Sequence, residues 1–315
     1  MSPNSWICLH PSNATEAKLS LDNRGLAYGD GFFTTMGVID GQILWLDYHQ
    51  QRLVSHAAAL QLQLDSQSLL AMLKTHAKQL QQGMLKLIVT RAEQEVRGYG
   101  YTPNTGGSAC EIWFKSSPMA ITTAQSLPLA NGQFISLQPA ASAICLSSQI
   151  ACLPPTLAGL KSLNRLDNVL ASGELQAIKA KTLAGTIKPS IAEGLLRDMS
   201  GQWVEGTMSN VFYQLVEAPV AKSSNRPHSQ NNSSNYLTQG QWYTPSMAQS
   251  GVAGVMRQVI IDTLSTSNNP VIIRSLQDED LLHLSQLFFC NALRGIMPMS
   301  SLRLLSGEVV SFEAI

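Results

Sequence analysis

The sequence predicts two domains that mix helices with strands: a small N-terminal α+β domain and a larger α/β domain. The first observation is length, because 315 residues can form one large domain or two ordinary ones. The second is that the hydrophobic period switches along the chain between that of strands and that of helices. The third is the loss of periodicity at 118–133, which predicts an interdomain linker. The expected domains are therefore 1–117 and 134–315.

Composition predicts a soluble, reduced, cytoplasmic protein. Basic and acidic residues number 21 each, so a general electrostatic attraction to nucleic acid or to an anionic membrane is not expected. No apolar run approaches the roughly 20 residues of a membrane span, and the start of the chain lacks the pattern of a secretory signal. The 5 cysteines are scattered and never form a CxxC pair, which argues against a disulfide framework and a zinc ribbon.

In the first domain, the apolar pattern predicts a hairpin strand, two helices and two longer strands. The run at 42–46 follows a turn at Asp40–Gly41 and is expected to be the hairpin strand. Gly83 is expected to end the second helix, and strands are expected at 84–91 and 110–115. Helical spacing is found in two sets of residues, Leu53, Ala57, Leu60 and Leu64 in the first helix and Leu69, Leu70, Leu73, Ala77 and Leu80 in the second. Two helices on a largely antiparallel sheet make an α+β unit.

The second domain is predicted to continue with strands near 134–137, 142–146, 193–197 and 209–216. Between the second and third of these strands we expect one helix, with apolar residues Leu163, Leu166, Val169 and Leu170. Residues 217–240 are polar and of low complexity. Because such a segment buries too little apolar surface to offset its ordering entropy, a flexible loop insertion is predicted there.

Several familiar site patterns are incomplete. Gly29-Asp30-Gly31 begins like a dinucleotide fingerprint, but Thr34 stands where the third glycine belongs, so a dinucleotide site is not expected. His49 and His56 are too far apart in sequence for an i,i+4 pair of metal ligands, and no metal site is predicted. Neither a GxSxG nucleophile elbow nor a P-loop occurs.

Two lysines lie in apolar stretches and are candidates for chemistry. Lys86 is in the middle of a predicted strand, where alternation alone explains a charge that faces water. Lys161 follows a proline-rich turn at a predicted junction between loop and helix. It is either a solvated lysine at a helix start or a desolvated lysine whose lowered pKa allows Schiff-base formation. Spacing alone leaves both interpretations open.

Four segments occur in a fixed order along the chain: Tyr-Gly-Asp-Gly-Phe-Phe-Thr-Thr at 28–35, Leu-Lys-Ser-Leu-Asn-Arg-Leu-Asp-Asn-Val-Leu at 160–170, Val-Glu-Gly-Thr-Met-Ser-Asn-Val-Phe at 204–212, and Gly-Val-Ala-Gly-Val-Met-Arg at 251–257. Together they resemble fold-type IV pyridoxal-phosphate enzymes, the family of branched-chain and D-amino acid aminotransferases. Within that family, 97–99 and 290–298 resemble the 4-amino-4-deoxychorismate lyases. The resemblance extends over nearly the whole chain. It implies a two-domain fold with pyridoxal 5'-phosphate (PLP) in the cleft between the domains.

The resemblance implies roles for individual residues of a cofactor site. Lys161 matches the lysine that binds the cofactor covalently. Glu205 matches the carboxylate beside the pyridine nitrogen, where an anion keeps that nitrogen protonated. Arg52 matches the arginine that binds the phosphate. Further contacts are implied for the first residues of a helix, whose backbone amides bind phosphate, and for one late loop, namely Gly254, Val255, Met256, Asn291 and Ala292.

Substrate contacts, reaction and assembly are implied in the same way. Arg97 and Tyr99 match a loop that covers the active site, and Thr34 and Thr35 match a strand that lines the pocket. The implied reaction is the elimination that converts 4-amino-4-deoxychorismate to 4-aminobenzoate and pyruvate in folate biosynthesis, with Lys161 as the base. The alternatives are amino-group transfer by an aminotransferase of the same fold and a non-catalytic binding module. A homodimer is also implied.

Overall fold

The computed structural model describes residues 6–9, 14–16, 19–103, 109–121, 125–129, 132–183, 191–216 and 233–312. The chain forms two compact units. The first unit comprises Met1–Ile121 together with Leu160–Arg165, and the second comprises Thr122–Gly159 and Leu166–Ile315. The expected domain bounds, 1–117 and 134–315, stay a prediction.

The described residues of the first unit form six strands and three helices. They are β1 (Trp6–Leu9), β2 (Ala14–Glu16), α1 (Arg24–Tyr28), β3 (Gly31–Ile39), β4 (Gln42–Ile43), α2 (Leu46–Ala59), α3 (Ser66–Leu80), β5 (Gly83–Arg91) and β6 (Cys110–Pro118). The strands form one sheet in the order β2-β1-β6-β5-β3-β4, and all of its described pairings are antiparallel.

The core of this unit lies between the sheet and the helices α2 and α3. Phe32 and Met36 lie on the face of β3 that meets the helices, because alternate residues of a strand share a face, and both are fully buried. Leu53 of α2 and Leu73 of α3 complete the same apolar cluster. Burial of each such side chain contributes about 1.5–3 kcal/mol. The predicted arrangement of two helices on a largely antiparallel sheet is confirmed.

Two predicted element boundaries in this unit were wrong. The hairpin strand expected at 42–46 ends at Ile43, because Trp45 adopts a left-handed conformation with φ 57° and α2 begins at Leu46. Gly83 does not end a helix but begins β5, with φ 154°. A Cβ atom on Gly83 would lie 2.3 Å from the carbonyl oxygen of Ser117 in β6. This glycine is therefore required by the close pairing of two strands.

In the part of the second unit that the structure describes, there are eleven strands, two helices and two short 3₁₀ turns. They are β7 (Gln125–Pro128), β8 (Phe134–Leu137), β9 (Ala141–Ile150), α4 (Leu166–Leu183), β10 (Ile191–Asp198), β11 (Trp203–Gly206), β12 (Asn210–Leu215), a turn at Ser233–Thr238, β13 (Tyr243–Thr244), α5 (Val255–Leu264), β14 (Ile272–Ile273), a turn at Asp278–His283, β15 (Leu284–Asn291), β16 (Gly295–Arg303) and β17 (Val309–Ser311). Six of the strands, β9, β10, β11, β12, β15 and β16, pair in a closed ring.

Alternation along the ring strands gives this unit two apolar clusters. Cys145 of β9 and Leu195 of β10 belong to one cluster. The next residue in each strand, Leu146 and Leu196, belongs to a second cluster that also contains Leu175 of α4. Neighbouring residues of a strand point to opposite faces, so the ring is apolar on both sides. The mixed, two-sheet architecture confirms the predicted fold class.

The position and the buried side of α4 differ from the prediction. The helix begins at Leu166, and Leu163 instead lies in the first unit, where its N–H donates to the carbonyl of Gly31 over 3.0 Å. The side chains that were expected to form the apolar face are exposed, namely Leu166, Val169 and Leu170. Ala171 and Leu175 face the core instead.

Two segments that were predicted to lack structure contain regular elements. The expected linker 118–133 contains β7, which pairs with β8. Of the expected insertion 217–240, residues 217–232 lie outside the described residues. The remainder is not a flexible loop, because Tyr236 and Leu237 of the short turn are buried. The Tyr236 ring packs 5.5 Å from that of Trp242, which explains how this end of the segment gains enough apolar burial to fold.

Glu193 holds the turn between β11 and β12. It is buried and accepts hydrogen bonds from the N–H and hydroxyl of Thr207, the hydroxyl of Ser209 and the N–H of Gly194. Glu174 on α4 also accepts four hydrogen bonds, from Ser147 and Ser148, but is partly exposed. The two carboxylates thus differ mainly in their access to water.

We expect Glu193→Ala to lower the free energy of unfolding by about 3 kcal/mol, because it leaves several buried hydrogen-bond donors without an acceptor. Glu174→Ala should cost less than about 1 kcal/mol, because water replaces the lost acceptor. Urea unfolding of both variants checks this. Equal losses would show that burial of the Glu193 carboxylate does not determine its contribution.

Candidate active site

Lys161 is fixed in the first unit by both of its main-chain groups. Its N–H donates to Nε2 of His56 over 2.9 Å, and its carbonyl accepts from the N–H of Phe33 over 3.0 Å. The flanking residue Ser162 forms a bridge with Phe32 of β3. The Lys161 Nζ atom lies 4.7 Å from the centroid of the Phe33 ring. Lys161 is therefore not at a helix start but in an extended segment beside β3, five residues before α4.

Arg52 and His56 lie one turn apart on α2 and are both buried. Burial lowers the pKa of Arg52 to about 10, which still leaves the guanidinium charged at neutral pH. The pKa of His56 is lowered to about 3, chiefly by burial and further by the charges of Arg52, Arg165 and Lys161. The helix thus presents a cation and a neutral imidazole at successive turns.

Thr34 and Thr35 point to opposite faces of β3. Thr34 is fully buried, and its hydroxyl lies 2.8 Å from Nδ1 of His49. Thr35 is half-buried and shares its face with Phe33, because alternate residues of a strand lie on one side. Among the two threonines, Thr35 is the one on the side of the Lys161 Nζ atom.

Arg97 and Tyr99 are exposed, but the main chain that carries them is anchored. The buried Arg24 donates to the carbonyl oxygens of residues 98–100 over 3.1–3.2 Å. Arg24 is itself held by an ion pair of 2.9 Å with Asp30. A buried arginine that donates to three successive carbonyls fixes the path of this loop while leaving its side chains accessible.

Glu205 is the buried carboxylate of the second unit, with 4% exposure. Its Oε2 accepts the N–H of Val252 over 2.8 Å, and its Oε1 lies 3.4 Å from Nδ2 of Asn168 on α4. The strand partner of Glu205 is Asn210. These contacts orient the carboxylate from two elements, α4 and the loop before α5.

The helix α5 begins beside Asn210. Gly254 is its N-cap residue and supplies no side-chain hydrogen bond, so the first amides of the helix, including those of Val255 and Met256, have no side-chain cap. A Cβ atom on Gly254 would lie 1.9 Å from Oδ1 of Asn210, whose Nδ2 donates to the carbonyl of Val252 over 2.8 Å. The side chains of Val255 and Met256 are buried, and only their amides can serve a ligand.

Asn291 is the last residue of β15, Ala292 follows it, and both are half-buried. The Asn291 Oδ1 atom accepts the N–H groups of Leu293 and Arg294 over 3.1 and 2.8 Å. Its Nδ2 lies 3.5 Å from the carbonyl of Met208, in the turn between β11 and β12. The carbonyl side of the Asn291 amide is therefore occupied by its own turn.

Contacts link several of the candidate cofactor residues, in one cluster in each unit. Lys161 and Arg52 are linked through His56, and Glu205 is linked to the start of α5 through Val252 and Asn210. The contacting residues that had not been predicted include Arg24, His56, Asn168 and Asn210. The last two lie within the quoted motifs, so the motifs themselves could have indicated them. His56 lies on the core side of a helix, and sequence carries no signal that distinguishes it from a packing residue.

The family model for class IV aminotransferases matches residues 31–302. The chain belongs to the class IV aminotransferase family. This family depends on PLP, so the predicted cofactor is confirmed. The resemblance on which the prediction rested is confirmed as well.

Relatives of this chain carry two kinds of activity in their names. Aminodeoxychorismate lyase of Vibrio harveyi is 23% identical over 288 residues, covering 91% of this chain and 88% of that protein. A protein of Methanocaldococcus jannaschii, provisionally named a branched-chain-amino-acid aminotransferase, is 27% identical over 304 residues, covering 95% and 87%. The crystal structure of 4-amino-4-deoxychorismate lyase from Pseudomonas aeruginosa superposes with a TM-score of 0.69 at 29% identity, covering 94% of this chain and 90% of that one.

The two clusters offer the groups that PLP needs. A charged buried arginine and uncapped helix amides suit a phosphate. Gly254 has no Cβ atom to fill the space at the helix start, so those amides stay accessible. A buried carboxylate suits a protonated ring nitrogen.

Within the described ranges, no three His, Cys, Asp or Glu residues could hold a metal ion. No helix in the described part of the chain is long and apolar enough to cross a membrane.

We expect Gly254→Ala to weaken PLP binding by about tenfold or more, because the added methyl group must displace Asn210 or the start of α5. Gly173→Ala is the control, since a Cβ on that α4 residue meets nothing within 4 Å. Titration of the apoprotein with PLP, followed by absorbance, checks the prediction. Unchanged affinity in Gly254→Ala would remove this helix start from the phosphate site.

Proposed function

We propose that the chain is a PLP-dependent lyase that converts 4-amino-4-deoxychorismate to 4-aminobenzoate and pyruvate, in the cytoplasm and in folate precursor synthesis. The observation that carries the choice of reaction is the 29% identity to the Pseudomonas aeruginosa lyase across 94% of this chain. The reaction balances without water or any further reactant, since the substrate atoms divide between the two products.

In this proposal both clusters bind one cofactor. Arg52 and the amides of Val255 and Met256 bind its phosphate, with Asn291 and Ala292 close to that end. Glu205 pairs with the ring nitrogen, and Lys161 forms the covalent link. The sequence supports this assignment, since Lys161, Glu205 and the start of α5 each lie within one of the segments that resemble the family.

When bound, PLP supplies an electron sink for the carbon that carries the substrate nitrogen. Lys161 Nζ removes the proton from that carbon, and the enolpyruvyl oxygen leaves as the six-membered ring becomes aromatic. The same Nζ then returns a proton to the departing enol, which becomes pyruvate. The two main-chain hydrogen bonds of Lys161 restrict where its Nζ can travel between these proton transfers.

We propose that Arg97 pairs with a carboxylate of the substrate and that Tyr99 covers the six-membered ring of the substrate. Arg24 keeps their loop in place. Thr35 contacts the substrate from the Phe33 side of β3, whereas Thr34 supports that strand from the core through His49.

We further propose a homodimer, which light scattering of the purified protein tests; a strict monomer would contradict it.

Amino-group transfer is the second candidate, and the 27% identity to the Methanocaldococcus jannaschii protein favours it. Both candidates need Lys161 and Glu205. They differ in whether the carbon–oxygen bond of the substrate breaks or the amino group stays with the cofactor. The first outcome yields two organic products, and the second yields the amine form of the cofactor.

The deciding experiment incubates the PLP-loaded protein with 4-amino-4-deoxychorismate and measures 4-aminobenzoate and pyruvate together. The lyase predicts equal amounts of both, with no product when PLP is omitted. If neither forms and α-amino acids convert the cofactor to its amine form, the aminotransferase is correct and the lyase proposal fails.

A further inference from the structure

The His56 side chain contacts the main chain of Lys161. Its Nε2 accepts the Lys161 N–H over 2.9 Å, while the Lys161 carbonyl is bound by Phe33. The imidazole is buried on α2 and packs edge-on against Phe32, with ring centroids 5.4 Å apart. The ring therefore has little freedom to follow Lys161 if that residue moves.

The hydrogen bonds around His56 define one tautomer. Because Nε2 accepts, the ring proton must be on Nδ1. Nδ1 lies 3.3 Å from the Ser55 hydroxyl, and that hydroxyl donates to the carbonyl of Arg52 over 3.2 Å. The Ser55 oxygen is thus available to accept the Nδ1 proton. The hydrogen bonds therefore form a chain in which Lys161 donates to His56, His56 donates to Ser55, and Ser55 donates to the carbonyl of Arg52.

The charges around His56 keep it neutral. Arg52 lies on its own helix, and Arg165 and Lys161 face it from the segment 160–165. No carboxylate is among the groups that shift its proton affinity, and burial together with the three cations lowers the pKa to about 3. A protonated ring would lose its acceptor atom and add a fourth positive charge.

We propose that His56 is a positioning residue, which holds the lysine that binds the cofactor through a neutral imidazole acceptor at its main-chain N–H. This inference rests on the proposed role of Lys161. The imidazole sets where the Lys161 Nζ atom begins its proton transfers, and it does so without touching substrate. Its contribution should appear in the rate of the chemical step and in the proton affinity of the cofactor-bound lysine nitrogen, and not in substrate binding.

Three variants separate this role from simple packing. His56→Phe keeps the ring and removes the acceptor, whereas His56→Gln retains an oxygen where Nε2 stood. His76→Phe is the matched control, because His76 is also on a helix and packs on a phenylalanine, Phe114, with centroids 4.7 Å apart. Thermal unfolding of each variant reports on packing.

For His56→Phe we expect kcat to fall about 10- to 100-fold with KM changed less than about threefold. The absorbance titration of the cofactor-bound lysine should shift in the same variant. His56→Gln should stay within about threefold of wild type in kcat, and His76→Phe should match wild type in both measurements. Unchanged kcat and titration in His56→Phe, or equal losses in His56→Gln, would overturn the proposal.

The absorbance titration needs no turnover, so it tests His56 even if the protein catalyses a different reaction. If His56→Phe does not fold, nitrogen NMR of the wild-type ring, assigned with His56→Gln, gives the answer. The expected result is a neutral ring protonated at Nδ1 between about pH 5 and 8. A ring protonated at Nε2, or a charged ring, would contradict the proposal.

Discussion

Lys161→Ala is expected to abolish formation of 4-aminobenzoate and pyruvate, with a loss of at least about 10⁴-fold in kcat, because it removes both the covalent link to PLP and the base. Noncovalent PLP binding should survive, since Arg52 and the start of α5 remain. The visible absorbance of the purified variant should therefore resemble that of free PLP and not that of a lysine-bound cofactor.

Lys86→Ala is the matched control for this prediction. The Lys86 Nζ atom lies 5.5 Å from the centroid of the same Phe33 ring that Lys161 covers at 4.7 Å. Both lysines are half-buried, but only Lys161 is held at its N–H by a histidine. Wild-type turnover in Lys86→Ala and none in Lys161→Ala is the expected pattern. Substantial turnover in Lys161→Ala would end its assignment as the base.

Glu205→Gln is expected to lower kcat about 10²- to 10³-fold, because a neutral amide no longer favours a proton on the ring nitrogen of PLP and the electron sink weakens. The substitution nearly preserves shape, and one oxygen can still accept the N–H of Val252. Cofactor should therefore still bind, which PLP titration checks alongside turnover of the PLP-loaded variant.

Glu174→Gln serves as the control for this second variant. Glu174 also accepts hydrogen bonds in the second unit, but its partners are Ser147 and Ser148, whereas those of Glu205 are Val252 and Asn168. Its kcat should equal that of wild type. If Glu205→Gln retained wild-type kcat, the carboxylate would have no part in activating the cofactor, and its burial would be a matter of stability alone.

The elements that follow from hydrophobic period were predictable. The core of the first unit, with Leu53 and Leu73 against an antiparallel sheet, appears in the sequence as two helical repeats flanked by apolar strands. Elements set by tertiary pairing were not. Leu163 continues the helical spacing of α4, yet its N–H bonds to Gly31, because main-chain pairing beside β3 outweighs local propensity. For the same reason Gly83 resembles a helix end but belongs to a strand.

The candidate site also contains residues that could be predicted from the sequence and residues that could not. Lys161 and Glu205 could be named because their motifs match a known family, and Arg52 because the same resemblance implies its role. Apolar patterning alone would have left Lys161 as one of two lysines. The groups that orient them depend on contacts between distant parts of the chain. His56 and Lys161 are 105 positions apart, and Arg24 reaches a loop more than 70 positions away. No local pattern encodes such pairs, so they emerge only from the fold.

Reduction of the PLP-loaded wild-type protein with borohydride, followed by digestion and mass mapping, is the most direct test of the proposed chemistry. Borohydride converts the double bond between a lysine nitrogen and the cofactor carbon to a stable single bond, which marks the lysine. We expect the mark on the peptide that contains Lys161, and on that peptide alone. A mark on Lys86 or another lysine, or no mark at all, would contradict the assignment on which the proposed function depends.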